Sequence, residues 1–236
     1  RDRSPSRGLG DVYKRQTKHR PIAEGIISPK NALIFAIILA IISFLSLLLI
    51  NNLLSALLAL GGGFFYVAIY TLYLKKRTIQ NIVVGGSAGA FPPLVGYAAI
   101  SNTITLEAIY LFVIIFFWTP PHFWALAIMI KDDYAKAKIP MLPVVKGVEN
   151  AALQIFLYSI LLILVTTLTI LVSPSLGSIY LISSLVLGII LIYRSFRLYK
   201  SLDRSEAVST YKYSLLYLFL LMGAVMIDSS VNFLEF

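Results

Sequence analysis

Seven apolar stretches, each about as long as a bilayer is thick, dominate this chain: roughly 31–50, 52–73, 81–100, 106–130, 151–172, 176–193 and 211–232. A spanning helix needs about 20 mostly apolar residues, and none of the seven carries Lys or Arg at mid-depth; Lys212 sits at an end. With 58% hydrophobic and only 13% charged residues over 236 positions, the apolar surface exceeds what one water-soluble core can hide. The same figures exclude a disordered chain, and the lack of cysteine excludes a disulfide scaffold. The expected fold class is all-α, a polytopic transmembrane helical bundle.

Charge placement sets the orientation. Residues 1–30, 74–80, 131–150 and 194–212 hold all 20 Lys and Arg, whereas Asn51-Asn52, 101–105 and 173–175 hold none. Basic residues gather on the cytoplasmic side of membrane proteins. The net charge of +9 therefore reads as topology, with the N-terminus inside and the C-terminus outside, and not as a nucleic-acid surface. Three short outer turns face three longer inner loops, so the inner side is expected to carry the chemistry. Residues 1–16 (RDRSPSRGLGDVYKRQ) show no apolar period and read either as a solvated tail or as sequence foreign to the protein.

Two spans break helix rules: one with Gly85-Gly86, Gly89 and Pro92-Pro93, the next with Thr119-Pro120-Pro121-His122. Proline frees backbone groups that lipid cannot satisfy. These are either kinks with small residues for close packing, or helices bent around a cavity open to the inner side. His122 lies ~12 Å deep, eight residues before Ile130, and an intramembrane ionisable group is a functional candidate.

The inner loops carry the remaining polar chemistry. Lys75-Lys76-Arg77 reads as a membrane anchor or as an anion site, and Asn81 as an N-cap. Asp132-Asp133 reads as charge balance, with Asp132–Lys136 at helical-pair spacing, or as a place for a hard cation. Magnesium is held by one or two carboxylates plus substrate phosphates, with Lys or Arg taking the remaining phosphate charge. Lys18, His19 and Arg20 add a third basic cluster. Carboxylates, cations and a deep apolar space suit an amphiphile with an anionic head, such as a prenyl diphosphate; a transporter or a receptor stays open at this level.

The stretches TKHRPIAEGIISP (17–29), YTLYLKKRTIQNIVVGGSAGAFPPLVGY (70–97) and FFWTPPHFWALAIMIKDDYAKAKIPMLPVV (116–145) carry a resemblance. From about residue 17 onward the chain resembles the UbiA-type intramembrane prenyltransferases, and within them the heme-farnesylating branch. The resemblance implies a bundle of nine spans, of which seven are seen here, around a central cavity open to the cytoplasmic side of a prokaryotic plasma membrane. It implies farnesyl transfer from farnesyl diphosphate to a vinyl group of heme b, giving heme O and diphosphate. Mg²⁺ would be the cofactor, membrane lipid the surroundings, and a heme A synthase or terminal oxidase the pathway partner. Asp132 and Asp133 match the second acidic motif and would hold the metal; Lys18, Arg20, Lys75, Arg77 and Thr78 would contact the diphosphate. Tyr70, Lys75 and Asn81 would complete the catalytic loop, and His122 would contact heme. The runner-up is a prenyltransferase for a quinone precursor or lipid, followed by a transporter.

The family's first Asn/Asp motif is expected just before Lys18. Asp11 is in register with its last aspartate, but Arg7 and Arg3 stand where Asp and Asn belong, and Gln16 where Arg belongs. Residues 1–16 are accordingly expected to be non-native and 17–236 to be a truncated domain, inactive as it stands.

Overall fold

The computed structural model describes residues 20–234, with side chains described as far as Val231. The expectations that fall on Lys18, His19 and residues 1–16 lie outside the described residues. Seven helices are long and apolar enough to cross a membrane, as the hydropathy pattern predicts. They are α1 (Pro29–Ile50), α2 (Leu53–Phe64) continued by a π-helix (Phe65–Leu74), α3 (Asn81–Ser101), α4 (Leu106–Met129), α7 (Gly147–Leu168), α8 (Ser178–Ser201) and α9 (Arg204–Leu234). Two short helices, α5 (Lys131–Lys136) and α6 (Leu142–Val145), sit between α4 and α7. No strand occurs among the described residues.

Local chemistry fixes the helix ends. Ser28 caps α1 by accepting from the Asn31 N–H at 3.2 Å, with Pro29 at the first helical position, where its missing N–H costs nothing. Asn52 does two jobs in the α1–α2 turn. Its Oδ1 accepts from Ser55 N–H at 2.9 Å, and its Nδ2 donates to the Ala98 and Ala99 carbonyls at 2.7 and 3.2 Å. The turn is thereby tied to the end of α3.

α4 is the hub, packed against α3, α7 and α9. At the end where the basic residues cluster (the basic end), Trp124, Ala127 and Ile128 of α4 pack with Ile139, Met141 and Leu142 of the connection and Ala151 and Ile155 of α7. Toward the other end, Ile114 packs with Leu162, Tyr180, Leu187 and Tyr217. Buried tyrosine hydroxyls are satisfied: Tyr180 donates to the Thr166 carbonyl at 2.7 Å and Tyr213 to the Leu187 carbonyl at 2.9 Å. Among the described residues, α1 buries none of its own and packs chiefly against α2.

Two expectations about the basic-end connections need correction. The stretch 131–150 is not an open loop, because Ile139, Met141 and Leu142 are buried in the core beneath α4. The stretch 194–212 is almost entirely helix: α8 continues to Ser201 and α9 starts at Arg204, with Leu202 in the left-handed region at φ 57°. Charge had ended these spans in the sequence reading, yet helices extend past an apolar core wherever their backbone bonds remain satisfied. Arg194 bonds Ser209, and Arg197 pairs with Glu206 across the two extensions. The proline pairs Pro92-Pro93 and Pro120-Pro121 lie inside continuous helices.

Asp228 shows how a carboxylate is accommodated in the last span. It is 2% exposed and accepts from the Gly177 and Tyr180 N–H groups at 2.6 and 2.9 Å, so it caps the first turn of α8 from a distant helix. These donors are orphans of the helix start, and the positive end of the helix favours the negative group. Asp228→Ala should cost about 2 kcal/mol by removing the cap and leaving buried N–H groups unpaired. The check is thermal unfolding in detergent, in which Asp228→Asn should fall less because one acceptor oxygen survives. An unchanged Tm for the alanine variant would show that water replaces the carboxylate.

Candidate functional site

A cavity of about 790 Å³ opens between α2, α3 and α4. On α3 its wall runs from Ile82 to Gly96, about 21 Å along the axis. Its shape follows from residue size. Gly62, Gly63, Gly85, Gly86, Gly89 and Gly96 withhold side chains, while Tyr66, Tyr70, Phe91, Trp118 and Phe123 supply aromatic walls. The space is long, narrow and almost wholly apolar, the form that fits a hydrocarbon chain. Of the expected bent pair, α3 contributes Pro92 to the wall, whereas Pro120 and Pro121 are buried and do not line it.

The π-helix shapes the basic end of this cavity. Its wider turn is visible in the Thr71 hydroxyl donating to the Tyr66 carbonyl and the Lys75 N–H reaching the Tyr70 carbonyl, both five residues back, at 2.9 Å. π segments in α-helices concentrate at functional sites. Here the segment brings Tyr66 and Tyr70 into the lining with ring centroids 5.6 Å apart. The Tyr70 ring lies so close over Gly85 that a Cβ at that position would overlap it.

The acidic pair stands beside that end. Asp132 and Asp133 occupy the first turn of α5, Asp132 exposed and Asp133 half-buried. The expected Asp132–Lys136 pair is not formed, so both carboxylates are available to a ligand. The next residue, Tyr134, is within electrostatic reach of Tyr70, and burial pushes its phenol above the ordinary value. α5 therefore joins the acidic pair to the mouth of the apolar space, although neither aspartate lines the cavity itself. Lys138, two residues past α5, is held in the left-handed region at φ 52°, a backbone conformation costly for a residue with a Cβ.

Asn81 is the brace between the two loops. It is 1% exposed, and its Nδ2 donates to the carbonyls of Lys75 and Pro140 at 3.4 and 3.5 Å, while its Oδ1 has no partner. It is thus a positioning group as well as the first residue of α3. Around it, Lys75 is half-buried, Arg77 is exposed over the Tyr73 ring at 4.5 Å, and the Thr78 hydroxyl accepts from the Gln80 N–H at 3.2 Å. Arg20 is exposed at the first described position.

His122 is placed differently from the other expected residues. It is 6% exposed and stacked between Trp118 and Tyr211, at 4.3 and 4.7 Å, with Nδ1 2.8 Å from the Ser214 hydroxyl. The Ser214 hydroxyl also reaches the Tyr211 carbonyl at 2.7 Å. Ser214 therefore links the ring to the α9 backbone, with the tautomer setting which of the two groups donates. The ring is turned toward α9, and Trp118, Thr119 and Phe123 line the cavity in its place. Helical period alone would leave 122 beside 118 on the cavity face; the bond to Ser214 and the stack on Tyr211 hold the ring toward α9 instead. Tyr66 and Trp118 are cavity residues that the sequence motifs do not single out; their only signal is aromatic residues facing small ones on neighbouring spans.

Among the described residues no three Asp, Glu or His side chains gather as a metal cage. A carboxylate pair fits a magnesium ion that takes its other ligands from substrate phosphates and water.

The comparisons with known proteins agree with this geometry. The family model described as "UbiA prenyltransferase family" matches residues 10–226, starting inside the segment set apart as a tail. The protoheme IX farnesyltransferase of Thermus thermophilus is 50% identical over 94% of this chain, which spans 36% of that relative's length. Those of Picosynechococcus sp. and Gloeobacter violaceus are 47% and 51% identical over 93% of this chain, which spans 69% and 72% of their lengths. No solved structure matches. The seven-helix architecture, the apolar cavity with its flanking acidic pair, and a family match over most of the sequence lead to one statement: the chain belongs to the UbiA prenyltransferase family.

Proposed function

We propose that this chain is the catalytic membrane domain of an enzyme that moves the farnesyl group of farnesyl diphosphate onto a vinyl group of heme b, giving heme O and diphosphate. The observation that carries the proposal is an elongated apolar cavity whose lining residue Tyr70 has Tyr134, next in the chain after Asp133, within electrostatic reach and the Lys75–Thr78 segment just beyond it in sequence. The relatives' printed names support heme b as the acceptor.

In this reading the C–O bond between farnesyl and diphosphate breaks, and a new C–C bond forms to the vinyl carbon. Water supplies the hydroxyl and its proton leaves. Negative charge grows on the departing diphosphate, and groups preset for that charge lower the barrier. Lys75, Arg77 and Thr78, with Lys18 and Arg20 from the preceding segment, bind and orient the head. Mg²⁺ held by Asp132 and Asp133 would supply the remaining charge neutralisation on the phosphate oxygens. Tyr66, Tyr70 and Phe91 wall off the chain and keep stray water from the allylic cation. Asn81 sets the distance between the cationic and acidic loops. His122 acts from behind the wall, positioning Trp118 by stacking.

The basic end lies in the cytoplasm and the protein in the cell membrane, following the positive-inside bias. A Thr103→Cys label should react with an impermeant thiol reagent from outside, and Ala135→Cys only after permeabilisation. The lack of native cysteine leaves no background, and reversed accessibility would overturn the orientation. The product would pass to a heme A synthase or a terminal oxidase.

The activity is tested with membranes carrying residues 1–236, and residues 17–236 joined behind a complete family N-terminal portion. Each receives farnesyl diphosphate, Mg²⁺ and either heme b or 4-hydroxybenzoate. Farnesylated heme identified by mass and lost with EDTA is the expected result for the joined protein. Prenylation of 4-hydroxybenzoate alone would reassign the acceptor.

A further inference from the structure

We infer that a second, smaller cavity at the basic end is a binding site for a phosphate group, separate from the prenyl cavity. It holds about 210 Å³ between the start of α3, Trp124 of α4 and the α6–α7 corner, and no residue lines both spaces. Its lining is unlike the apolar cavity in kind. Gln80, Trp124, Lys146, Asn150, Gln154 and Tyr158 all present N–H or O–H donors, and no carboxylate is among the lining residues. Lys146 supplies a positive charge.

Two independent features ask for an acceptor there. The first is the start of α7, a 22-residue helix with no side-chain cap on its first turn. The unpaired N–H groups and the positive end of such a helix attract anions. Glu149, the one acid of that turn, is exposed and does not line the cavity. The second is Trp124, which is 3% exposed, stands edge-to-face on Tyr158 at 5.3 Å, and lines this cavity with an Nε1–H that has no acceptor. An indole N–H can only donate, and a buried donor left unpaired is rare enough to need a reason. A water molecule would satisfy the indole but would bring no negative charge to the helix end and the exposed Lys146 beside it. A tetrahedral phosphate anion, rich in acceptor oxygens and of cavity size, answers all three. The lining residues Gln80 and Lys146 lie in the basic-end connections, level with the lipid headgroups, so the phosphate can come from free phosphate or from an anionic phospholipid.

The chain has two tryptophans, so Trp118→Phe leaves Trp124 as the sole reporter. Its emission is followed on titration with inorganic phosphate, against potassium chloride at equal ionic strength. A second arm uses nanodiscs of phosphatidylcholine with or without phosphatidic acid. A saturable change in either arm is expected; the first identifies a free-phosphate site and the second a headgroup site. Lys146→Gln with Asn150→Ala should raise Kd at least tenfold, and Asp132→Asn with Asp133→Asn should leave it unchanged. Phosphorus NMR line broadening with the unsubstituted tryptophans and with Trp124→Phe gives the same comparison without relying on the reporter background. Three results would each overturn the site: no saturable change in either arm, a response surviving the Lys146/Asn150 substitutions, or one abolished by the Asp132/Asp133 pair.

Discussion

Replacing Asp133 by Asn is expected to lower heme O formation by at least about 10²-fold while the helical bundle stays folded. The magnitude follows from removing a group aimed at charge that develops in the transition state, which is worth about 10²–10³ in rate. The fold should survive because α5 is six residues long, buries none of them, and Asp133 makes no ion pair. Its backbone carbonyl, which accepts from the Ala137 N–H at 3.0 Å, is unchanged by the substitution. Asp132→Asn, at the more exposed position, should lose less, and the double variant should be no worse than about the product of the two. The measurement is heme O per unit of folded protein across a magnesium titration. Full activity in the double variant would remove the acidic pair from the mechanism.

What the sequence could reveal follows from which forces act locally. The spans were legible because the bilayer sorts residues by hydropathy over whole helices, and the basic end because charge is excluded from lipid. The cavity walls were partly legible, since Gly85-Gly86 and Gly89 mark places where side chains are withheld. The π-helix at Phe65–Leu74 was not, because FYVAIYTLYL carries no Pro, no Gly and no break in its apolar run to mark the wider turn. Nor was the face of His122, which depends on Ser214 and Tyr211 some 90 residues away in sequence. The capping role of Asp228 is not legible either, because its partners belong to the start of another helix. The apolar run Ile139–Leu142 did announce a buried connection, but counting charge alone made it a loop.

Adding one methyl group at Gly85 is expected to disable the enzyme through Tyr70. A Cβ there would overlap the Tyr70 ring, which lies against α3 at the cavity wall. The ring would have to swing into the cavity or push α2 from α3. Overpacking of this kind costs typically about 1–3 kcal/mol, and it would also block the space beside the proposed diphosphate site. Gly85→Ala should therefore lower both Tm and heme O formation, the latter at least about tenfold. Gly89→Ala provides the contrast: Gly89 lines the same cavity, but nothing lies within 4 Å of a Cβ built on it, so the same methyl should be nearly silent in stability. The double variant Gly85→Ala/Tyr70→Ala separates collision from any other role of Gly85. If the ring is what the methyl strikes, the double variant should be no less stable than Tyr70→Ala alone, because groups in contact are not additive. Additive losses would mean that Gly85 matters for its backbone and not for the space it gives to Tyr70.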